Sequence, residues 1–244
     1  MHRFYCREFE SGVLSEEESR HARQVLRLEE GSSACVFDGK GREARVKLFS
    51  KDKKNLRFET VSISQTLPSP CRIHLAQGLP KGKSMDIIVQ KATELGVASI
   101  QPLLSERSVV HLEKTDAKKE KWMQTAIESC KQCGQNWLPV FYDPVTPKEF
   151  LQCIAMGKNY SLQLIGSLQS EAQSLHTLLQ KAKREKNMQD VICMVGPEGD
   201  FTPSEIGQAR AEGFLPVSLG PHVLRSETAA IFLMSVLLYE TALA

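Results

Sequence analysis

The sequence predicts an α/β protein in two parts, a small β-rich domain followed by a larger domain built on a mostly parallel sheet. Residues 1–70 contain short runs of β-branched and aromatic residues with turn signals between them. From residue 71 onward, strand-like apolar runs alternate with helix-like runs, which is the pattern of a parallel sheet covered on both faces. The two patterns meet at Leu67-Pro68-Ser69-Pro70, where two prolines interrupt helix and strand ladder alike. We therefore expect domains at 1–70 and 71–244.

One helix and four strands are expected in the first domain. Ser15 followed by Glu18 predicts a capping box at the start of a helix over Ser15–Leu28. Asp38-Gly39 supplies the chemistry of a hairpin turn. The strands are expected at Arg3–Cys6, Ala34–Phe37, Glu43–Phe49 and Leu56–Ser64.

The second domain is expected to end in two strand–loop–helix units, at Val191–Val195 and Leu215–Leu219. The helix after the first strand has a strong start signal, with Thr202 at the N-cap, Pro203 at N1 and Glu205 at N3. Earlier strands are predicted at Arg72–Gly78, Val97–Leu104, Leu138–Phe141 and Tyr160–Ile165, and earlier helices at Lys83–Leu95, Thr115–Cys133, Pro147–Ala155 and Glu171–Lys186.

The last helix is expected to follow a cap at Ser226 and is apolar nearly all round, from Ala229 to Leu238. A helix with so little polar face is buried, either under the rest of its domain or against a second subunit.

Composition narrows the class of protein. Lys and Arg total 31 and Asp and Glu 29, so the net charge of +2 is uninformative by itself. No 18 consecutive residues are apolar, and the N-terminus lacks the apolar core of a secretory signal. The seven scattered cysteines are best explained as reduced thiols. We therefore predict a cytoplasmic protein that does not enter a membrane.

Two motif matches are set aside on their context. Gly39-Lys-Gly41-Arg-Glu-Ala44 has the spacing of a dinucleotide fingerprint, but a strand pattern follows it where a helix is required, which predicts a hairpin turn. Cys130-Lys-Gln-Cys133 ends a predicted helix and has no second ligand pair, so we expect structural thiols and no metal site.

Basic residues are concentrated in the first domain. Between Gly39 and Arg57 there are eight Lys or Arg and only two acids. Such a run suits a phosphate backbone, and a solvated lysine-rich loop is the alternative explanation. Its cations are Lys40, Arg42, Arg45, Lys47, Lys51, Lys53, Lys54 and Arg57.

Two glycine-bearing loops carry the strongest functional signal: the Gly196 loop (Gly196–Asp200) and the Gly220 loop (Gly220–Arg225). Each follows a buried strand and opens a helix, which presents backbone N–H groups to a small polar ligand. A well-made turn with no ligand is the alternative for the first. Arg225 and Glu227 are charges beside a buried helix, so they need partners, such as each other, or a function.

These motifs resemble those of a known family. Gly196-Pro197-Glu198-Gly199 is followed by Leu219-Gly220 and then Leu224-Arg225-x-Glu227-Thr228-Ala229. This resembles the SPOUT methyltransferases, and in particular the RsmE family, which methylates N3 of a uridine in small-subunit ribosomal RNA. Further matches along the whole chain are His21-x-x-x-Val25-Leu26-Arg27, Phe37-Asp38-Gly39, Gln90 to Val97, Glu106-Arg107-Ser108 and Lys131-Gln132-Cys133-Gly134.

The resemblance implies a PUA-like β-barrel domain, then an α/β SPOUT domain with a deep trefoil knot at its C-terminus. It implies a homodimer, S-adenosylmethionine as cofactor, and small-subunit ribosomal RNA or the assembled 30S subunit as partner. The cofactor-binding residues would be Gly196, Pro197, Glu198, Gly199, Leu219, Gly220, Leu224, Arg225 and Thr228.

The chemistry needs a proton acceptor and a cation, since uridine N3 must lose its proton to become a nucleophile. We expect Arg225 to be the cation and Glu198 or Glu227 the acceptor. The residues expected to hold RNA phosphates are Arg107, Lys81, Lys83, Lys40, Arg42 and Arg45.

Three residues depart from the family pattern. Gln135 and His222 stand where the family usually has arginine, and Asp200 stands where it often has glycine. The first two affect the expected RNA contacts rather than the cofactor pocket. Three alternatives stay open at this point: a SPOUT enzyme acting on transfer RNA, an inactive ribosome-binding module, and an oxidoreductase, although the fingerprint of the last is missing.

Overall fold

The computed structural model describes residues 1–50, 55–108, 115–157, 160–185 and 188–242. The chain forms two compact units, Met1–Pro68 with Ile127–Leu138, and Ser69–Ala126 with Pro139–Ala244. The segment Ile127–Leu138 thus groups with the first unit although it follows residue 70 in the chain. The division into domains 1–70 and 71–244 stays a prediction.

The first unit is a four-stranded sheet, in the order β1-β2-β3-β4. β1 pairs with β2 in parallel, and the other two pairs are antiparallel. Alternate residues of β3 are buried, as the period of a half-buried strand requires. The turn between β2 and β3 contains Gly39 and Gly41, which confirms the hairpin interpretation of that motif. The strands are β1 Arg3–Tyr5, β2 Ser33–Phe37, β3 Arg42–Ser50 and β4 Leu56–Gln65.

The predicted helix over Ser15–Leu28 divides into α1 (Glu16–Arg20) and a wider π-helical turn over His21–Val25. Ser15 accepts a hydrogen bond from the Glu18 N–H at 3.2 Å, so it caps the helix as predicted. A capping box also requires the Glu18 carboxylate to accept from the Ser15 N–H, and this part of the prediction is wrong. The carboxylate of Glu18 instead accepts from the Tyr5 N–H at 3.3 Å and from Lys131 Nζ at 3.0 Å.

The second unit contains a seven-stranded sheet in which every pair is parallel, in the order β7-β6-β5-β10-β8-β11-β9. The strands are β5 Arg72–Gly78, β6 Ser99–Leu103, β7 Val140–Phe141, β8 Leu162–Gly166, β9 Gln173–Ser174, β10 Asp190–Val195 and β11 Leu215–Ser218. The helices are α2 Ser84–Glu94, α3 Thr115–Cys133, α4 Pro147–Ala155, α5 Leu175–Arg184, α6 Pro203–Ala211 and α7 Ser226–Ala242, and α3 begins in this unit and ends in the first.

The predicted elements of this unit agree with the structure to within two residues at each end, with one exception. The helix predicted over Glu171–Lys186 begins only at Leu175, because Gln173 and Ser174 pair with Val217 and Ser218 as a short edge strand. Two residues are too few to produce a period, so this strand exists only through its neighbour.

A hydrogen-bonded chain fixes three strands at the amino-terminal edge of the sheet. His74 Nδ1 lies 2.7 Å from Ser99 Oγ, and His74 Nε2 lies 3.0 Å from Asp190 Oδ1. Arg72 donates to the other Asp190 oxygen at 2.6 Å. Burial would raise the pKa of Asp190, but the hydrogen bonds from Arg72 and His74 outweigh it and the pKa is lowered. These hydrogen bonds therefore hold the amino-terminal ends of β5, β6 and β10 together.

Among the described helices, none has both the length and the apolar character that a membrane crossing requires.

Candidate active site

A cavity of about 480 Å³ opens at the carboxyl ends of β8, β10 and β11. Three loops line it, one after each strand. Two are the Gly196 loop and the Gly220 loop, which the sequence predicted as ligand-facing. The third is the Gly166 loop (Gly166–Gln169), which was not predicted to face a ligand.

The Gly196 loop is tightly packed against its own strand ends. A side chain at Gly196 would place its Cβ 2.7 Å from Asp200 Oδ1, and one at Gly78 would lie 2.6 Å from Pro197 Cδ. Both glycines are therefore required by close approach of the chain. Asp200 adopts a left-handed φ of 57° and its Oδ1 accepts from the Phe201 N–H at 2.8 Å. Burial raises the pKa of this carboxyl.

The helix after this loop starts as the sequence predicts. Thr202 Oγ1 accepts from the Glu205 N–H at 3.2 Å, and Glu205 Oε2 accepts from the Thr202 N–H at 2.8 Å. With Pro203 in the first turn, this is a complete capping box. The start of α6 is therefore fixed by local hydrogen bonds, which also fix the end of the Gly196 loop that precedes it.

The Gly220 loop contributes backbone groups to the cavity. Gly220 has φ of 132°, a conformation that residues with a side chain rarely adopt. Within the described part of the chain, the N–H groups of Leu219 and Leu224 donate no hydrogen bond to the protein. Both residues line the cavity, which makes these N–H groups candidate donors to a bound molecule.

The sequence predicted that Ser226 caps the last helix from the position before its first residue, and this prediction is wrong. Ser226 is the first residue of α7, it is buried, and its hydroxyl donates to the Gly196 carbonyl at 2.6 Å. The Ser226 Oγ in turn accepts from Gln77 Nε2 at 2.9 Å. The physical reason is burial: a hydroxyl between two strand ends bonds the nearest polar groups, here those of the Gly196 loop.

Two charged side chains of the predicted set line the cavity. Arg225 and Glu198 are both exposed there, and the Glu198 oxygens lie 3.0 and 3.3 Å from the Lys81 N–H, which donates to them. Glu227 does not line the cavity. No ion pair joins Arg225 to Glu227 among the described residues, so the surface salt-bridge explanation fails.

Most of the predicted cofactor residues come together at this cavity, and two do not. Gly199 and Thr228 are outside the lining; the Gly199 carbonyl accepts from Arg107 Nη1 at 2.9 Å. The signal for the missed loop was present in the sequence, since Gly166 follows a predicted strand. The predicted residues in the lining are Gly196, Pro197, Glu198, Leu219, Gly220, Leu224 and Arg225, and His222 and Asp200 also lie there.

The cations predicted to hold RNA differ in their surroundings. Lys81 and Lys83 are exposed in the second unit, on the loop that reaches Glu198. In the first unit, Lys40 and Arg45 are exposed. Arg42 is already used inside that unit.

Arg42 donates to Asp38 at 2.7 Å and to Glu10 at 3.1 Å, and its guanidinium lies 5.2 Å from the Phe9 ring centre. Lys51, Lys53 and Lys54 lie outside the described residues. Gln135, one of the departures from the family pattern, accepts from two backbone N–H groups in the first unit.

The described residues include no group of three or more His, Cys, Asp or Glu that could hold a metal ion. The site instead combines apolar side chains, free backbone N–H groups, a guanidinium and carboxylates. This combination suits an uncharged flat group together with a charged polar group.

The chain matches known families over most of its length. Residues 67–238 match the family model described as RNA methyltransferase domain, and residues 14–61 match the one described as RNA methyltransferase PUA domain. The chain is 34% identical to ribosomal RNA small subunit methyltransferase E of Synechocystis, over 89% of this chain and 69% of that protein. It is 30% identical to the protein of the same name from Bacillus subtilis, over 94% and 90%.

Two solved structures share the fold along nearly the whole chain. Ribosomal RNA small subunit methyltransferase E of Neisseria gonorrhoeae, bound to S-adenosylmethionine, has a TM-score of 0.85 at 32% identity and covers 97% of this chain and 96% of its own. A methyltransferase from Legionella pneumophila, also in complex with S-adenosylmethionine, has a TM-score of 0.85 at 36% identity, with 96% of each chain covered.

Proposed function

Because this chain belongs to the RsmE family of SPOUT RNA methyltransferases, we propose that it transfers a methyl group from S-adenosylmethionine to N3 of a uridine in small-subunit ribosomal RNA. The observation that carries the proposal is the cavity at the three strand ends, where two predicted glycine loops, Arg225 and Glu198 meet.

The residues present fit the cofactor. Adenine is flat and uncharged, and Leu168, Leu219 and Leu224 supply apolar walls for it. Its polar edges and the ribose need hydrogen-bond partners, which the unpaired N–H groups of Leu219 and Leu224 supply. When bound, the cofactor supplies a methyl group on a sulfonium, and the protein supplies position and electrostatics. Gly199 and Thr228, outside the lining, are not needed for this fit.

The charged residues fit the chemistry of N3. Glu198 lines the cavity, and the Lys81 N–H orients its carboxylate. We therefore assign to Glu198 the role of accepting the proton from uridine N3. Loss of that proton leaves negative charge on the uracil ring and its oxygens, which the Arg225 guanidinium stabilises. Glu227 is the less suitable acceptor because it lies outside the cavity lining.

The RNA is proposed to contact cations of both units. Lys81 and Lys83 lie on the loop that bonds Glu198, and Lys40 and Arg45 are exposed on the first unit. Arg42 is left out because its guanidinium already bonds Asp38 and Glu10. Exposed cations that neutralise phosphates release counterions, so binding should depend steeply on salt.

We further propose that the protein is a cytoplasmic homodimer. The last helix is only half covered within one chain: Ala230, Leu233, Met234 and Leu237 are buried. Phe232 and Tyr239 on α7 are 41% and 66% exposed, and an apolar helix face of this kind is normally covered. The trefoil knot belongs to the same proposal, and it rests on the membership of this chain in the family.

The function is tested by mass spectrometry of ribosomal RNA from cells that lack this protein. We expect 3-methyluridine to disappear from the small subunit and to return with the wild-type chain but not with Arg225→Ala. Fully retained 3-methyluridine would refute the assignment. A modification missing from transfer RNA instead would identify a transfer RNA enzyme. Isothermal titration calorimetry with S-adenosylmethionine distinguishes an active enzyme, which must bind the cofactor, from an inactive ribosome-binding module, which need not bind it.

A further inference from the structure

Arg107 bonds the back of the Gly196 loop. Its Nη1 donates to the Gly199 carbonyl at 2.9 Å. Its side-chain stem packs on the same residue, since a Cβ at Gly199 would lie 3.1 Å from Arg107 Cβ. Of the five residues in the Gly196 loop, Gly199 is the one that does not line the cavity. Arg107 therefore holds this loop from the side away from the ligand.

The turn that carries Arg107 is itself held in place. The Glu106 N–H donates to Glu205 Oε1 at 3.1 Å, and Glu205 is the buried capping residue of α6. Within the turn, the Ser108 N–H donates to the Ser105 carbonyl at 2.9 Å, and their hydroxyls lie 3.0 Å apart. The guanidinium thus extends from a fixed backbone, which reduces the entropy lost when it bonds Gly199.

The other flank of the loop is held by a different strand end. The Lys81 N–H, on the loop after β5, donates to the Glu198 carboxylate. Two neighbouring loops, after β5 and after β6, therefore hold the Gly196 loop at adjacent residues. The residues between these contacts and the strand, Gly196 and Pro197, form part of the cavity wall.

We propose that Arg107 is a positioning residue for the methyl transfer, and this rests on the proposed function. It holds the Gly199 carbonyl and so keeps the Gly196 loop in the conformation that binds the cofactor. A loop ordered before binding loses less entropy when the ligand arrives, so affinity rises without any new contact. Arg107 is exposed, and from the sequence we expected it to hold an RNA phosphate. Its hydrogen bond instead joins it to the cofactor loop.

Hydrogen exchange of the free protein tests the bond itself. The Asp200 N–H, bonded to the Pro197 carbonyl, and the Phe201 N–H, bonded to Asp200, report on the order of the loop. In Arg107→Ala we expect both amides to exchange about tenfold faster, in proportion to one lost charge-assisted hydrogen bond. The matched control is Arg210→Ala, which removes an exposed arginine paired with Glu171 and should leave both amides unchanged. Equal exchange in wild type and Arg107→Ala overturns the proposal.

Calorimetry and RNA binding then test the consequence. Arg107→Ala should weaken S-adenosylmethionine binding about tenfold without RNA present, and Arg107→Lys should recover part of the loss because its ammonium can still donate. The salt dependence of RNA binding should match that of the wild type. Unchanged cofactor affinity, together with a log–log salt slope reduced by about one, would assign Arg107 to a phosphate and overturn the proposal.

The two proposals fail separately. If the wild-type chain does not bind S-adenosylmethionine, the proposed function fails, whereas the exchange rates of Asp200 and Phe201 still decide whether Arg107 orders the loop.

Discussion

The Ser226 hydroxyl donates to the Gly196 carbonyl oxygen across 2.6 Å, joining the start of the last helix to the first glycine loop. Gln77 Nε2 donates to the same hydroxyl at 2.9 Å from the end of β5, and no part of Gln77 is exposed. Three chain segments that are distant in sequence thus meet at one buried hydroxyl. The relative position of the Gly196 loop and α7 depends on it.

Ser226→Ala should therefore weaken cofactor binding. The substitution removes one hydrogen bond from the Gln77 amide and one from the Gly196 carbonyl, at a cost of about 0.5–1.5 kcal/mol each. Gln77 Nε2 still donates to the Gly78 carbonyl at 2.8 Å, so the buried amide keeps a partner. We expect S-adenosylmethionine affinity, measured by calorimetry, to fall about tenfold and the thermal midpoint to drop. Ser235→Ala, on the same helix outside the cavity lining, is the control and should bind normally. Normal binding by Ser226→Ala would show that the loops hold their positions without this bond.

Arg225→Ala should reduce turnover far more than cofactor binding. The guanidinium is proposed to act on charge that develops only in the reaction, and loss of such a group typically costs about a hundredfold or more in rate. Single-turnover methylation of small-subunit RNA measures the rate, and calorimetry measures cofactor affinity. Arg184→Ala, an exposed arginine of α5, is the control. Near-normal turnover would remove Arg225 from the chemistry.

RNA affinity should fall steeply as salt increases. Each neutralised phosphate adds about 0.7 to 0.9 to the log–log slope, so replacing Lys81 and Lys83 together with alanine should reduce it by about 1.5. Filter binding between low and moderate salt measures both slopes. Arg42→Ala should leave the slope unchanged, since that guanidinium is already paired with Asp38. A flat salt response in the wild type would contradict the proposed phosphate contacts.

Lys131→Met should destabilise the first unit, and more so at higher pH. Burial raises the pKa of the Glu18 carboxyl above its usual value, with Lys131 opposing that shift. A carboxyl whose folded pKa is raised gives its stability below the unfolded pKa and loses it as pH rises through the folded pKa. Without Lys131, ionised Glu18 has lost a buried partner, at about 3–5 kcal/mol.

Urea unfolding at pH 8 and at pH 4 measures this difference. The gap between wild type and Lys131→Met should be large at pH 8 and small at pH 4, where Glu18 is protonated. The double variant Glu18→Gln with Lys131→Met should recover stability at pH 8. A gap independent of pH would mean that Lys131 contributes packing rather than charge.

Alkylation should separate the cysteines of the Cys130-x-x-Cys133 motif. Cys130 is buried at the end of α3, and burial raises the pKa of its thiol to about 12, whereas Cys133 is exposed. The thiolate is the reactive form, so iodoacetamide at pH 8 should modify Cys133 and Cys153 and spare Cys130. Peptide mass spectrometry gives the answer directly. Rapid modification of Cys130 in the folded protein would contradict its burial.

Short-range patterns in the sequence were enough to predict the order of nearly all helices and strands and two of the three loops that line the cavity. These features rest on short-range physics: the Thr202 capping box closes within three residues, and strand and helix periods need only a few turns of chain. Glu18 shows where such local prediction fails. Its carboxylate was predicted to bond the nearby Ser15 N–H, but it bonds Lys131, which is 113 residues away in the chain.

Which side chains act together depends instead on the folded arrangement of the chain. Ser226 bonds Gln77 across 149 residues, and Arg107 bonds Gly199 across 92. No local pattern specifies such partners, because they follow from which strand ends lie side by side in the sheet. The Gly166 loop joins the cavity for the same reason: β8 pairs with both β10 and β11, so its carboxyl end opens at the same edge as theirs.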